Sequence, residues 1–163
     1  MYKKCCFTGH RKITDTDELR EKLENVLIIL IENGTTDFYA GGAVGFDLLC
    51  EQTVLKLREK CPYIKLHLIL PCNETEQTYG WTSDNKAEYH RILLASDSIE
   101  YVSEHNTKNC MKKRNARLVE LSDCCVCYYK ISRSGTGQTV RMAEAKGMRI
   151  INIAVNTVQN CTK

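Results

Sequence analysis

"CCVCYYKISRSGTGQTVRMAEAKG", residues 124–147, carries three kinds of chain in a row. An apolar, cysteine-rich run reads as a buried strand over 123–131. The small polar residues Ser132 to Gly137 read as a turn. "GQTVRMAEAKG" then has helical spacing and stops at Gly147. Strand, glycine turn and helix in direct succession is half of a βαβ unit. The same order recurs upstream. "YKKCCFTG" is followed by a helix over 15–34, which Asp15 or Asp17 can cap and Gly34 ends. "TDFYAGG" is followed by a helix over 46–61 with Pro62 past its end. "IKLHLILPC" precedes a helix over 83–96. "SIEYVS" precedes a helix over 110–122, and "RIINIAV" is a last strand.

Alternation this regular predicts an α/β fold: a Rossmann-like three-layer sandwich, with a mostly parallel sheet and helices on both faces. Right-handed crossovers place every strand's carboxyl end on one edge, and ligands of such sheets bind at that edge near a switch point. At 163 residues, the length suits a single domain over 1–163. Hydrophobic residues make up 43% and charged residues 26%, an ordinary globular mix. The net charge of +3 is too balanced for a dedicated nucleic-acid binder, so any anion site must be local. The apolar run Val26 to Ile31 is too short to span a bilayer, and "MYKKCCFTGHRK" lacks the apolar segment of a signal peptide. The expectation is a cytoplasmic protein with no membrane partner. A homo-oligomer suits a domain of this kind, although no stretch singles out an interface.

The chain holds ten cysteines. Without a secretion signal these read as reduced thiols, several of them small buried hydrophobes. Cys124 and Cys127 have C-x-x-C spacing, but on a strand and without a partner pair, so no metal site is expected.

Three glycine-bearing segments fall just after predicted strands. They are Thr8-Gly9-His10-Arg11, the run Gly41-Gly42-Ala43-Val44-Gly45, and Ser132 to Gly137. Glycine lets backbone approach a ligand closely, and a following helix N-terminus supplies unpaired N–H groups, which together suit phosphate. A tight strand-to-helix turn would also need glycine, but three on one edge favour a binding site. Neither a G-x-G-x-x-G fingerprint nor a P-loop is present, which disfavours an ordinary NAD dehydrogenase or P-loop ATPase. In "CMKKRNARLVELS" the helical period puts Arg114 and Asn115 on the same face as Met111, Leu118 and Leu121, with Lys113, Ala116 and Glu120 opposite. An inward arginine needs a partner, either a structural carboxylate or a ligand phosphate. Asn115 beside it suits a hydroxyl or amide. In the long segment after the third strand, Gln77, Tyr79 and Trp81 form a candidate lid or stacking wall for a base. His10 and His90 lack a Ser or Cys at nucleophile spacing.

Taken in order, "TGHR", "GGAVGFD", "LPC…Q…W", "CMKKRN" and "SGTGQT" resemble the YpsA-like branch of the SLOG superfamily. That superfamily also includes the lonely-guy phosphoribohydrolases and the DNA-processing protein DprA. The likeness implies a Rossmann-like fold and a nucleotide, NAD or ADP-ribose type of ligand, bound as by a regulator or sensor. The implied binding residues are Gly9, His10, Arg11, Gly41, Gly42, Gly45, Arg114, Asn115, Ser134, Gly135 and Thr136. An N-glycosidic hydrolase is the alternative, with Arg114 on phosphate and Asp47 or Glu144 on the sugar. Thr139 stands where the related hydrolases carry Glu, and a neutral threonine cannot stabilise an oxocarbenium-like centre. Asp47 also suits a plain first-turn acid. Single-stranded DNA binding through Lys108, Lys112, Lys113, Arg114 and Arg117 is a further alternative, although no aromatics interleave those cations.

Overall fold

In a computed structural model, residues 1–14 and 16–154 are described. Six strands form one sheet in the order β4-β3-β2-β1-β5-β6, and every neighbouring pair is parallel. The strands are β1 Lys4–Gly9, β2 Asp37–Ala40, β3 Lys65–Leu70, β4 Ser98–Tyr101, β5 Cys124–Tyr128 and β6 Arg149–Asn152. The helices are α1 Asp17–Glu32, α2 Phe46–Arg58, α3 Glu74–Gln77, α4 Ser83–Ala95, α5 Cys110–Leu121 and α6 Gly135–Ala145. This is the Rossmann-like α/β architecture expected. The chain leaves β1 towards β2 on one side and reaches β5 on the other, so the topological switch point lies between β1 and β5.

Strands covered on both faces read as continuous apolar runs. β5 is buried at every position, and β1 from Cys5 to Thr8. The edge strands β4 and β6 are far more exposed. One core holds Phe7, Phe38, Leu66 and Leu68 against α1, α2 and α4. The other holds Cys6, Tyr39, Ile69 and Cys125 against α5 and α6. Cys124 belongs to the first core and Cys127 to the second, so this C-x-x-C pair faces opposite sides of the sheet. Cys5 and Cys6 register against Cys124 and Cys125 across the β1–β5 ladder. The cysteines of the described residues are all free thiols, and all but Cys61 are buried.

Helix ends follow local chemistry, with one correction. Neither Asp15 nor Asp17 is the residue that caps α1. Thr16 does so, its hydroxyl accepting from the Leu19 N–H at 3.2 Å, while Asp17 is the first helical residue and Asp15 lies outside the described residues. Along α1, Leu19, Leu23, Leu27, Leu30 and Ile31 make the buried stripe. The last strand ends at Asn152, and Val155 of the expected "RIINIAV" lies outside the described residues. The segment after β3 contains a helical turn that no periodicity announces, α3, capped by Asn73 accepting from the Glu76 N–H at 3.0 Å. Among the described residues no helix is long and apolar enough to cross a membrane.

Candidate functional site

A cleft of about 260 Å³ opens at the carboxyl edge beside the switch point. Thr8, Gly9, His10 and Arg11 form one side as β1 ends. Ala43 and Asp47 form the floor. Met111, Arg114, Asn115 and Leu118 line the α5 wall, and Ser134, Gly135 and Thr136 the α6 wall.

Arg114 is 7% exposed. Its Nη1 donates to the Gly41 carbonyl and its Nε to Asn115 Oδ1 at 2.7 Å. Nη1 also lies 3.7 Å from Asp47 Oδ2, and among the described residues Nη2 faces only the Met111 thioether at 3.8 Å. Of the two partners foreseen for this arginine, the structure supplies the carboxylate. It still leaves one guanidinium nitrogen on a weak acceptor in a cleft-lining residue. Burial lowers the Arg114 pKa, and Asp47 offsets part of that. Burial raises the Asp47 carboxyl, against the pull of Arg114 and of the Ala43 N–H, which donates at 3.3 Å.

Gly41 is what admits Arg114: a Cβ there would overlap the guanidinium. Gly45 has φ +84°, and a Cβ there would run into the Arg11 carbonyl. The glycines of this loop thus make room for protein groups, and none of the three lines the cleft itself. Gly42 is fixed from both sides. Its N–H donates to Glu51 Oε1 at 3.0 Å, and its carbonyl accepts from Gln77 Nε2 at 3.0 Å. Gln77 Oε1 in turn accepts from the Tyr89 hydroxyl at 2.7 Å. Glu51 is fully buried, and its pKa is pushed well above the ordinary value by desolvation and then by Asp47. Its Oε2 has no hydrogen-bond partner among the described residues.

His10 holds the third segment. The Lys130 and Ile131 N–H groups both donate to His10 Nε2, at 2.9 and 3.2 Å. The neutral ring therefore carries its proton on Nδ1. Burial, then the Lys130 charge, lowers its pKa. Beyond this anchor, Ser134 caps α6, accepting from the Gly137 N–H at 3.0 Å. Gly135 and Thr136 follow in the first helical turn, where backbone N–H groups lack helical acceptors.

The profile described as the YspA SLOG family, that of YpsA, matches residues 5–159. The chain belongs to this SLOG family. It is 28% identical over 130 residues to a UPF0398 protein of Halalkalibacterium halodurans, covering 78% of this chain and 66% of that one. It is also 30% identical over 140 residues to the uncharacterized SPbeta prophage-derived protein YoqJ of Bacillus subtilis, covering 76% and 81%. Among solved structures, DNA processing protein A (DprA) of Streptococcus pneumoniae superposes with TM-score 0.69 at 20% identity, over 97% of this chain and 52% of that one. DprA of Helicobacter pylori, described through its single-stranded DNA binding mode, superposes with TM-score 0.63 at 20% identity, over 90% and 63%. This SLOG chain thus spans about half to two thirds of the DprA chains and 66% of the Halalkalibacterium relative. At this identity the DprA likeness bears on fold alone.

Within this SLOG domain the expected residues separate into groups. Gly9, His10, Arg11, Arg114, Asn115, Ser134, Gly135 and Thr136 converge on the cleft, and Asp47 joins them. Glu144 is exposed near the far end of α6 and does not line the cleft. Thr139 is fully buried and its hydroxyl donates back to the Gly135 carbonyl at 3.0 Å. Gln77 is a buried bolt, while Trp81 packs edge-on against Tyr89 and Tyr79 is 87% exposed. Gln77, Tyr79 and Trp81 line an adjoining pocket of about 400 Å³ that shares Arg11 and Met111 with the cleft. Sequence reasoning passed over Met111 as a cleft residue, and Glu51. The last has a sequence signal, since it lies four residues after Asp47 on the same helix face. Of the basic run on α5, Arg114 is buried and Arg117 is paired with Glu100 and Glu120, both at 2.9 Å.

Proposed function

We propose that this domain binds a nucleotide or nucleotide derivative, with phosphate seated between Arg11, Arg114 and the N-terminus of α6. The observation that carries the reading is Arg114. It is a buried guanidinium lining a cleft, with Nη2 on nothing better than a thioether. A phosphate oxygen would supply the charge-assisted partner that this nitrogen lacks. The N-terminal turn of α6 faces the same space and favours an anion. Asn115 and Asp47 line the same cleft and offer polar groups suited to a ribose attached to that phosphate. The adjoining pocket, with Tyr79 and Trp81 in its wall, has room for a base or for the second half of an NAD- or ADP-ribose-like ligand. A sensor or regulator role follows from binding without a hydrolytic glutamate at position 139.

The test is a thermal-shift and calorimetric series with AMP, ADP, NAD, ADP-ribose and phosphate-free adenosine. Binding is expected for one or more of the phosphate-bearing members and not for adenosine. Arg114→Ala is expected to weaken it roughly 10- to 150-fold, from the ~1.5–3 kcal/mol of a charge-assisted hydrogen bond. Arg11→Ala, at an exposed position, repeats the test without disturbing the core. Affinity unchanged in both variants overturns the phosphate placement.

The hydrolase alternative draws on a specific observation, the buried Asp47 carboxyl in the cleft floor. Release of free base that disappears in Asp47→Asn would establish it, and intact ligand across the series would sink it. Tight, steeply salt-dependent binding of oligo(dT) in place of nucleotides would instead point to Lys108, Lys112 and Lys113, which are exposed.

A further inference from the structure

Away from the cleft, near the amino ends of the strands, three side chains from adjacent strands line up. Asp37 opens β2, His67 lies in β3 and Ser98 opens the edge strand β4. His67 Nδ1 is 2.6 Å from Ser98 Oγ, and His67 Nε2 is 2.8 Å from Asp37 Oδ1. A carboxylate can only accept, so the Asp37 contact places the ring proton on Nε2. Nδ1 of the neutral ring is then the acceptor, and the Ser98 hydroxyl donates to it. That is the relation of nucleophile, general base and orienting acid.

The ring is held rather than merely touched. Tyr39 stacks on it at 4.7 Å between centroids, 24° from parallel. The other Asp37 oxygen accepts from the Thr36 hydroxyl at 2.6 Å. Burial raises the Asp37 carboxyl, but the hydrogen bonds from Thr36 and His67 outweigh it and leave it below the ordinary value. Asp37 is therefore held as the carboxylate. The Ser98 side is open, because Ser98 is exposed and no strand lies beyond β4 among the described residues. The Asp97 N–H donates inward to Leu66 O at 2.8 Å. Backbone alternation turns the next N–H, that of Ser98, towards the open edge, where it can donate to an oxyanion beside its own Oγ.

We propose that Ser98, His67 and Asp37 form a second, independent site that hydrolyses small, activated carboxylic esters. Ser98 Oγ adds to the ester carbonyl carbon while its proton passes to His67 Nδ1. The imidazolium returns that proton to the departing alkoxide oxygen as the C–O bond breaks, leaving acyl-Ser98 and free alcohol. Water then adds to the acyl carbon with His67 again taking the proton, and Ser98 leaves as the hydroxyl, releasing the acid. The sum is ester plus water to acid plus alcohol. Asp37 keeps Nε2–H in place throughout and takes no proton. Among the described residues no wall rises around the exposed Ser98, and this sets the substrate class: the acyl group is small, and reactivity resides in the leaving group.

The experiment uses the full chain with its accessible thiols alkylated in the folded state, because exposed cysteines also react with such esters while the buried ones do not meet them. A fluorophosphonate probe is added, the modified residue is located by peptide mass spectrometry, and p-nitrophenyl acetate hydrolysis is followed in parallel. Labelling at Ser98 is expected, with a p-nitrophenolate burst that is abolished in Ser98→Ala. His67→Gln is expected to slow both reactions at least ~100-fold, the usual scale of a lost general base. Circular dichroism and Tm verify that each variant folds, and Ser98→Ala at an exposed position serves if His67→Gln does not. A hydrogen-bonded strut with no chemistry predicts no Ser98 adduct and ester hydrolysis unchanged in Ser98→Ala. Either result overturns the proposal, as does labelling that persists at full rate in His67→Gln.

Discussion

Glu51 is the residue whose replacement tests the logic of the cleft floor most directly. It is fully buried, accepts the Gly42 N–H at 3.0 Å, and keeps its proton in the fold well above pH 4.5, the ordinary value. The unfolded chain ionises near that value. Above it the folded state binds more protons than the unfolded one, so this group erodes stability as pH rises, until its folded pKa is passed. Two replacements separate its roles. Glu51→Leu removes both the acid and the acceptor, leaving the Gly42 N–H orphaned in the core. An unsatisfied buried donor costs about 1–3 kcal/mol. Taking about 2 kcal/mol, Tm falls by about 4–8 °C in a chain of this length. Glu51→Gln keeps an acceptor for Gly42 and cannot titrate, but puts an amide where Oε2 has no partner. At pH 5 it is expected to lie within about 1 kcal/mol of the parent, on the unfavourable side. As pH rises above 5 the difference should shift in favour of Gln, and it should level off once the folded pKa of Glu51 is passed. Thermal unfolding of the three proteins in matched buffers measures this. Parallel pH profiles for parent and Gln, or Gln as damaging as Leu at every pH, would refute the reasoning.

Three further outcomes follow from particular contacts. Acidification should loosen the segment leading into α6: its two N–H groups need an unprotonated His10 Nε2, and the lowered His10 pKa makes the neutral form the folded one. Protection of the Lys130 and Ile131 amides, with the intrinsic pH dependence of exchange divided out, should be constant above about pH 6.5 and fall below it, as the unfolded-state preference for the charged ring takes over. Gly45→Ala combines a left-handed backbone with overlap on the Arg11 carbonyl, so it is expected to cost more than the ~1–2 kcal/mol of the backbone alone and to displace Arg11. Urea unfolding and nucleotide titration read the two effects. Thr16→Ala removes the α1 cap for about 1 kcal/mol, or about 2–4 °C, and leaves ligand affinity untouched because α1 does not line the cleft.

The order of elements was legible because each strand carries its own apolar run and each helix its own period. Arg114 was legible for the same reason: 3.6 residues per turn places it with Met111 and Leu118 and predicts the buried side that it occupies. What escaped the reading depends on contacts between distant segments. No periodicity reveals a single capped turn such as α3. The Gly41–Gly42–Gly45 loop looks like a phosphate cradle in sequence, yet its missing side chains are filled by Arg114, by Leu70 and Tyr89, and by the Arg11 backbone. Gln77 looked like a lid residue and is a bolt on the Gly42 carbonyl. The Ser98–His67–Asp37 line was invisible because its members sit 31 and 30 residues apart and meet only through the pairing of three parallel strands.

Gly41 and Arg114 lie 73 residues apart and occupy one volume. Their identities are therefore not independent. A side chain at position 41 requires either a shorter residue at 114 or a guanidinium moved out of its place on the Gly41 carbonyl, so arginine in this position and glycine at 41 go together. Among relatives, covariation of these two positions would mark which chains have kept this arginine wall of the cleft and which have given it up. The glycine would report the loss as plainly as the arginine.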